Sequence, residues 1–233
     1  MSVFGGPDIV TDGLVLHLDA ANRKSYPGSG TSWNDLVGDH NVNLSASTLN
    51  SISHSSTNKG YFNFTNNNYY NITYTGGWED GNSLLIAFRP TENPAGFYKT
   101  IFNKGSSLNI RFVTTGQLEY TYKVSGGGVA NAYYSGIERD NWYIIQTSAD
   151  GVSTNSRAMF YVNGYRHTNK YVGRTGYYGG YLVETSTPIS LGATSTGTAP
   201  LAMNLGFVLM YDRHLSHEET LQNYNALKGR FGL

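Results

Sequence analysis

The sequence predicts an all-β sandwich carrying one short C-terminal helix. Three observations lead there. The 233 residues include 28 Gly and 19 Tyr but only 6 Pro, a bias toward turns and half-buried strands, because aromatic and β-branched side chains suit a pleated surface. Short runs of alternating or wholly apolar residues recur along the chain, each bounded by turn-forming residues. A helix-start signature stands out only at Ser216–Glu219.

Taken in order, Gly13–Asp19 opens the fold. After Leu14, the residues Val15, His17 and Asp19 share one face while Leu14, Leu16 and Leu18 share the other, the period of a half-buried strand. Residues 20–58 are rich in Asn, Ser and Gly and predict a long ordered loop with short strand pieces, anchored by Trp33 with Val42 and Leu44. Strand composition resumes at 61–65 and 69–74, separated by Asn66–Asn68. Ser83–Arg89 is nearly continuous in apolar residues, as a central strand should be, and Pro90 stops it by removing a ladder donor. After Lys99–Asn103, the segments 108–113 and 117–123 flank Thr114–Gly116 as a hairpin. Trp142–Thr147 predicts another buried strand. Asn163-Gly164 between 158–162 and 165–167 favours a type I′ turn. Residues 189–192 and 203–211 complete the strands. The final segment has a capping box, Ser216 with Glu219, and an apolar stripe of Leu221, Tyr224 and Leu227, with Glu219 and Gln222 outward.

One domain, 13–233, accounts for the chain after an N-terminal arm of residues 1–12, and no repeat period appears. A chain this long buries about 70–75% of its unfolded surface and needs no staple. With no cysteine, disulfides and thiolate chemistry are excluded. Sixteen Lys and Arg balance sixteen Asp and Glu, so no broad basic field exists for nucleic acid or an anionic membrane. No apolar run reaches the roughly 20 residues of a membrane span. Met1–Pro7 shows neither region of a secretory signal, so the chain is expected to be made in a cytoplasm.

The segments Gly13–Asp19, Trp33–Gly38, Leu84–Pro90, Asn141–Ile145, Phe160–Gly164, Ile189–Gly192 and Gly206–Ser216, in this order and spacing, resemble the laminin-G-like, concanavalin-A-like jelly-roll family. The stretch Tyr211–Glu219 running into Gln222–Phe231, with Asp19–Gly30 before Trp33, is similar to such domains in virion proteins of tailed phages. The resemblance implies a two-sheet jelly roll for adhesion, decoration or glycan contact, without chemistry. Fold alone does not settle function, since the same architecture hosts lectins and glycanases.

Catalysis has no positive signature. The glycanase pattern Glu-x-Asp-x-x-Glu begins only at Glu138-Arg-Asp140, and Tyr143 stands where the second carboxylate should be. The six His show no metal-ligand spacing. No cofactor is expected, although the resemblance implies a rim calcium in many members. Asp19, Asn22, Asp35 and Asp39 would supply its oxygens; alternatively, Asp19 and Asp35 cap turns and fix the loop against Trp33. For recognition, Tyr133, Tyr134, Tyr177, Tyr178 and Tyr181 lie in apparent Gly-rich loops, where a flat ring with a hydroxyl stacks on sugars or fills interfaces.

The expectation from sequence is therefore a non-enzymatic structural protein of a tailed-phage particle, in capsid decoration or tail. It would dock to capsid or tail subunits through an arm that includes Phe4 and Pro7. It would be a monomer in isolation and present in many copies on the virion. The alternative is a lectin module that contacts host-surface polysaccharide.

Overall fold

The computed structural model describes residues 6–38, 40–43, 53–57, 60–65, 68–74, 81–93, 98–123, 129–150, 158–167 and 187–233. In chain order the strands are β1 (Leu14–Asp19), β2 (Ser32–Trp33), β3 (Val42–Asn43), β4 (Ser53–Ser55), β5 (Tyr61–Phe64), β6 (Tyr70–Ile72), β7 (Gly81–Pro90) and β8 (Lys99–Lys104). They continue as β9 (Leu108–Thr114), β10 (Gln117–Lys123), β11 (Val129–Ser135), β12 (Tyr143–Asp150), β13 (Ala158–Val162), β14 (Tyr165–His167), β15 (Ile189–Leu191) and β16 (Met203–Tyr211), before helix α1 (His217–Phe231).

Two antiparallel sheets face each other. The larger runs β14-β13-β12-β7-β16-β5-β4, with β1 also on β16; the six-stranded sheet runs β11-β10-β9-β8-β15-β6. The core lies between them, where Leu16, Leu18, Ile86, Phe88, Ile110 and Phe112 are all buried. The predicted alternation of β1 holds, with Leu14, Leu16 and Leu18 buried and the other face half-exposed. The apolar run of β7 is explained by two-sided burial: Leu84, Ile86 and Phe88 face the main core, whereas Leu85 and Ala87 join a second cluster beneath α1. At the β13–β14 turn, Asn163 and Gly164 have φ of 51° and 79°, the two positive values that a type I′ turn requires.

β16 is the organising strand. One edge pairs with β7. The other is shared end to end: Met203–Leu205 pair with Phe64–Phe62 of β5, and Phe207–Tyr211 pair with β1. Gly206 sits at the junction in a bulge, and its missing side chain makes room for the Phe231 ring, which a Cβ there would meet at 2.8 Å.

The C-terminal helix forms as predicted but turns a different face inward. Its buried residues are Thr220, Asn223, Ala226, Arg230 and Phe231, whereas Leu221, Tyr224 and Leu227 are only half-buried. The reason is that the sheet beneath it offers polar partners. Gln146 Nε2 donates to Thr220 Oγ1 at 2.8 Å, and Asn223 both accepts from Val10 N at 2.8 Å and donates to the Tyr211 hydroxyl at 3.1 Å. The bond from Val10 N draws in the N-terminal segment. The Tyr211 hydroxyl donates to Val10 O at 2.9 Å, Gln222 Nε2 donates to Asp8 O at 2.9 Å, and a Cβ on Gly6 would strike Asn225 O at 2.6 Å. Residues 6–12 therefore lie along the chain's own helix.

The helix start carries the predicted capping box, and Arg213 adds a two-pronged ion pair, Nη1 to Glu219 Oε2 at 3.0 Å and Nη2 to Oε1 at 2.6 Å. That hydrogen bonding lowers the Glu219 carboxyl to about 2. A carboxyl depressed on folding adds stability that is complete above its unfolded value, near 4.3, and is lost as pH falls through the folded value. Both side chains lie at the surface and are a little under a third exposed, so solvent screening holds the contribution to about 0.5–1 kcal/mol. The unfolding free energy of the wild type from urea titrations should thus fall by this increment between about pH 5 and pH 2, relative to that of Glu219→Gln; parallel profiles would refute the assignment.

Candidate functional site

The end-to-end meeting of β1 and β5 on β16 creates a crevice. The chain leaves β16 after Asp19 and comes back to it through Gly60 into β5, so two diverging backbones border one gap. Ala20 N donates to Gly206 O at 3.0 Å, which pins the exit to the bulge. Gly60, at φ 54°, approaches so closely that a Cβ on it would lie 2.5 Å from Ala21 Cα. Arg230 fills the junction from the helix above. Its Nη1 lies 2.6 Å from Asp19 Oδ1 and its Nη2 donates to Gly60 O at 2.8 Å.

The resulting cleft has a volume of about 260 Å³, with Arg23, Tyr26, Pro27, His54, Ser56 and Thr57 among its walls. An aromatic ladder supports it from the core outward. Trp33, wholly buried, contacts Phe62 at 4.7 Å between ring centroids; Phe62 contacts Tyr26 at 4.8 Å and His54 at 5.1 Å; Tyr26 and His54 lie 4.6 Å apart. His54 Nε2 lies 2.8 Å from Ala20 O. A carbonyl can only accept, so Nε2 carries a proton and donates to it.

The loop bearing Arg23 is ordered by local hydrogen bonds. Asn22 N donates to Asp19 O at 3.2 Å, while Ser25 N and Tyr26 N both donate to Asn22 O, at 2.9 and 2.7 Å. Asn22 Oδ1 accepts from Lys24 N at 2.9 Å. Arg23 itself is exposed.

The described residues of the expected calcium set are engaged in other ways. Asp19 is engaged by Arg230 and by Ala21 N at 2.8 Å, and Asn22 spends its side chain on the loop. Asp35 Oδ1 accepts from His17 N and Val37 N, while its Oδ2 accepts from Gly38 N and lies 3.3 Å from His40 Nδ1. Asp39 is outside the described residues. Among the described residues no cluster of three or more His, Cys, Asp or Glu is arranged for a metal. The carboxylates instead hold loops, which was the alternative reading of the same residues. His17, half-exposed on the same strand face as Asp19, has its imidazole pushed down by burial.

The tyrosine candidates divide. Tyr177, Tyr178 and Tyr181 lie outside the described residues, as does Phe4. Tyr133 and Tyr134 belong to β11, not to a loop, and as strand neighbours they face opposite ways. Tyr134 packs on the core and against His167, with ring centroids 4.5 Å apart. Tyr133 joins a cross-strand ladder on the outer face of the six-stranded sheet: its hydroxyl donates to Glu119 Oε1 at 2.8 Å, Arg111 Nε donates to Glu119 Oε2 at 2.8 Å, and the Arg111 guanidinium stacks 4.2 Å above Tyr98. Charge is already matched within this ladder. Pro7 is exposed, on the segment that lies against α1.

Sequence reading named Asp19 and Asn22 beside the cleft but missed Arg23, Tyr26 and His54. The available signal was the Gly60 turn preceding β5, which carries no meaning until β1 and β5 are known to share an edge of β16.

No protein-family model and no curated protein matches the sequence. Solved structures do match in fold. The binding domain of Paraclostridial Mosquitocidal Protein 1 aligns with 92% of this chain and 52% of its own, at TM-score 0.68 and 15% identity. The binding domain of botulinum neurotoxin DC, in complex with SialylT, aligns with 93% of this chain and 52% of its own, at 0.68 and 13%. Trypanosoma rangeli sialidase, in complex with 2,3-difluorosialic acid, aligns with 95% of this chain and 34% of its own, at 0.61 and 15%. This chain thus spans about half of each toxin domain and a third of the sialidase. The likeness shows the fold: an all-β, two-sheet concanavalin-A-like sandwich with a C-terminal helix. The narrower likeness to tailed-phage proteins has no counterpart in these three structures.

Proposed function

We propose that this domain is a non-catalytic carbohydrate-binding module and that the cleft between Ala20 and Gly60 seats the sugar. The cleft itself carries the reading: a concave site backed by aromatic rings and edged by the hydroxyls of Ser56 and Thr57, the mixture of flat apolar surface and convergent polar groups that a sugar ring requires. No carboxylate occurs among its described lining residues, so the pair needed for glycoside hydrolysis is not assembled there. The glycan ligands named for two of the fold neighbours add support.

A glycan array followed by calorimetry tests the proposal. His54→Ala should weaken binding of any retained glycan about tenfold or more, equivalent to about 1.4 kcal/mol, whereas Tyr133→Ala should leave affinity within a factor of two or so. Retention of no glycan, or equal affinity in wild type and His54→Ala, would refute the cleft.

Carriage on a phage particle remains the setting implied by the C-terminal resemblance. In this fold Tyr211, Arg213, Ser216, Glu219, Asn223 and Arg230 of that stretch bind the protein's own framework, which gives them a structural reason to be present in any context. Mass spectrometry of purified particles tests the setting separately.

A further inference from the structure

Building on the cleft as the sugar seat, we infer that its ligand is an acidic sugar, a unit bearing a carboxylate, and that Arg23 recognises that carboxylate. The charge inventory leads there. Arg23 is the sole Arg, Lys, Asp or Glu among the described lining residues. It is exposed and, among the described residues, has no carboxylate partner. The acid closest in sequence, Asp19, is held 2.6 Å from Arg230 Nη1, so its charge is matched inside the fold.

Arg111, Arg213 and Arg230 are each tied to an acid within 3.0 Å. Arg23 instead rides on a loop fixed at both sides by Asn22 and Tyr26, so its backbone is already ordered before a ligand arrives. A guanidinium fork matches a carboxylate in two parallel hydrogen bonds. The His54 ring and the Ser56 hydroxyl offer polar groups to a sugar's hydroxyls, and Pro27 and Ala21 offer apolar surface to its ring. At about 260 Å³ the cleft lies below the usual range for drug-sized ligands, which suits one terminal unit and not a chain.

The test uses the full chain labelled with ¹⁵N, titrated with sialyllactose against lactose and with methyl glucuronoside against methyl glucoside. The two acids distinguish sialic from uronic sources of the same carboxylate. Amide shifts of Ala21, Thr57 and Gly60 report occupancy of the cleft. The expected result is at least tenfold tighter binding of one acid than of its neutral partner, with the preference abolished by Arg23→Gln and weakened by raising salt from 50 to 500 mM. Equal affinity for acidic and neutral sugars at the cleft would overturn the acidic ligand while leaving the sugar seat in place. An acid preference that survives Arg23→Gln would overturn the role of Arg23. Absence of any shift at these amides with all four sugars would overturn both the inference and the seat on which it rests.

Discussion

Replacing Arg230 by Met is expected to lower the unfolding free energy by about 3–5 kcal/mol, the cost of leaving one member of a buried ion pair uncompensated. Its side chain is 6% exposed and that of Asp19 14%, so water cannot take over the lost partner. The guanidinium also donates to Gly60 O and, at 3.4 Å, to Gly206 O. These contacts tie α1, the end of β1 and the turn before β5 to one another. In a chain of this size each kcal/mol lowers the melting temperature by roughly 2–4 °C. A double-mutant cycle separates charge from packing: Asp19→Asn should cost the wild type a similar amount but restore part of the loss in the Arg230→Met background. Additive effects would show that the pair is not coupled. Sugar affinity should fall in Arg230→Met as well, because the Gly60 wall of the cleft loses its anchor.

Trp33→Ala is expected to have an effect of similar size, about 3–5 kcal/mol, the usual cost of removing a large buried aromatic side chain. Trp33 is wholly buried at the inner end of the ladder that runs through Phe62 to Tyr26 and His54. Its cavity would therefore open directly behind the cleft. The indole Nε1 has no hydrogen-bond partner among the described residues, so Trp33→Phe discards an unsatisfied donor along with part of the volume. The Phe variant should accordingly lose about half as much as Ala or less. Chemical denaturation of the two variants checks this. An equal loss in both would mean that the indole nitrogen, not the ring volume, matters at this position.

Much of the framework was legible because its signals are local. The capping box at Ser216, the Asn163-Gly164 turn and the doubly buried run of β7 each depend on residues within a few positions of one another. β11 was not legible. Its Val129–Ser135 follows the glycines at 126–128, and the Gly-rich approach masked a strand whose partner β10 is already half of a hairpin. The inward face of α1 was also hidden, since Thr220, Asn223 and Arg230 become core residues only when Gln146, Tyr211 and Asp19 meet them from distant strands. The cleft combines both difficulties. Asp19 and Asn22 could be named as polar residues near an interesting loop, but the role of Asp19 was fixed by Arg230, 211 positions away, and the cleft's shape by a bulge at Gly206 that breaks no local rule.

The sharing of β16 among β1, β5 and β7 also has a meaning in time. β1, β5 and β7 are synthesised before the strand that joins them, which comes after every other strand of both sheets. While the ribosome is still short of Met203, β1 has no neighbour in its sheet, and the edges of β5 and β7 that β16 will occupy stand open. Such edges invite pairing with other chains, and long-range pairing is slow to form. Folding of the larger sheet therefore waits for Met203–Tyr211, and the nascent chain is most exposed to aggregation before that strand emerges.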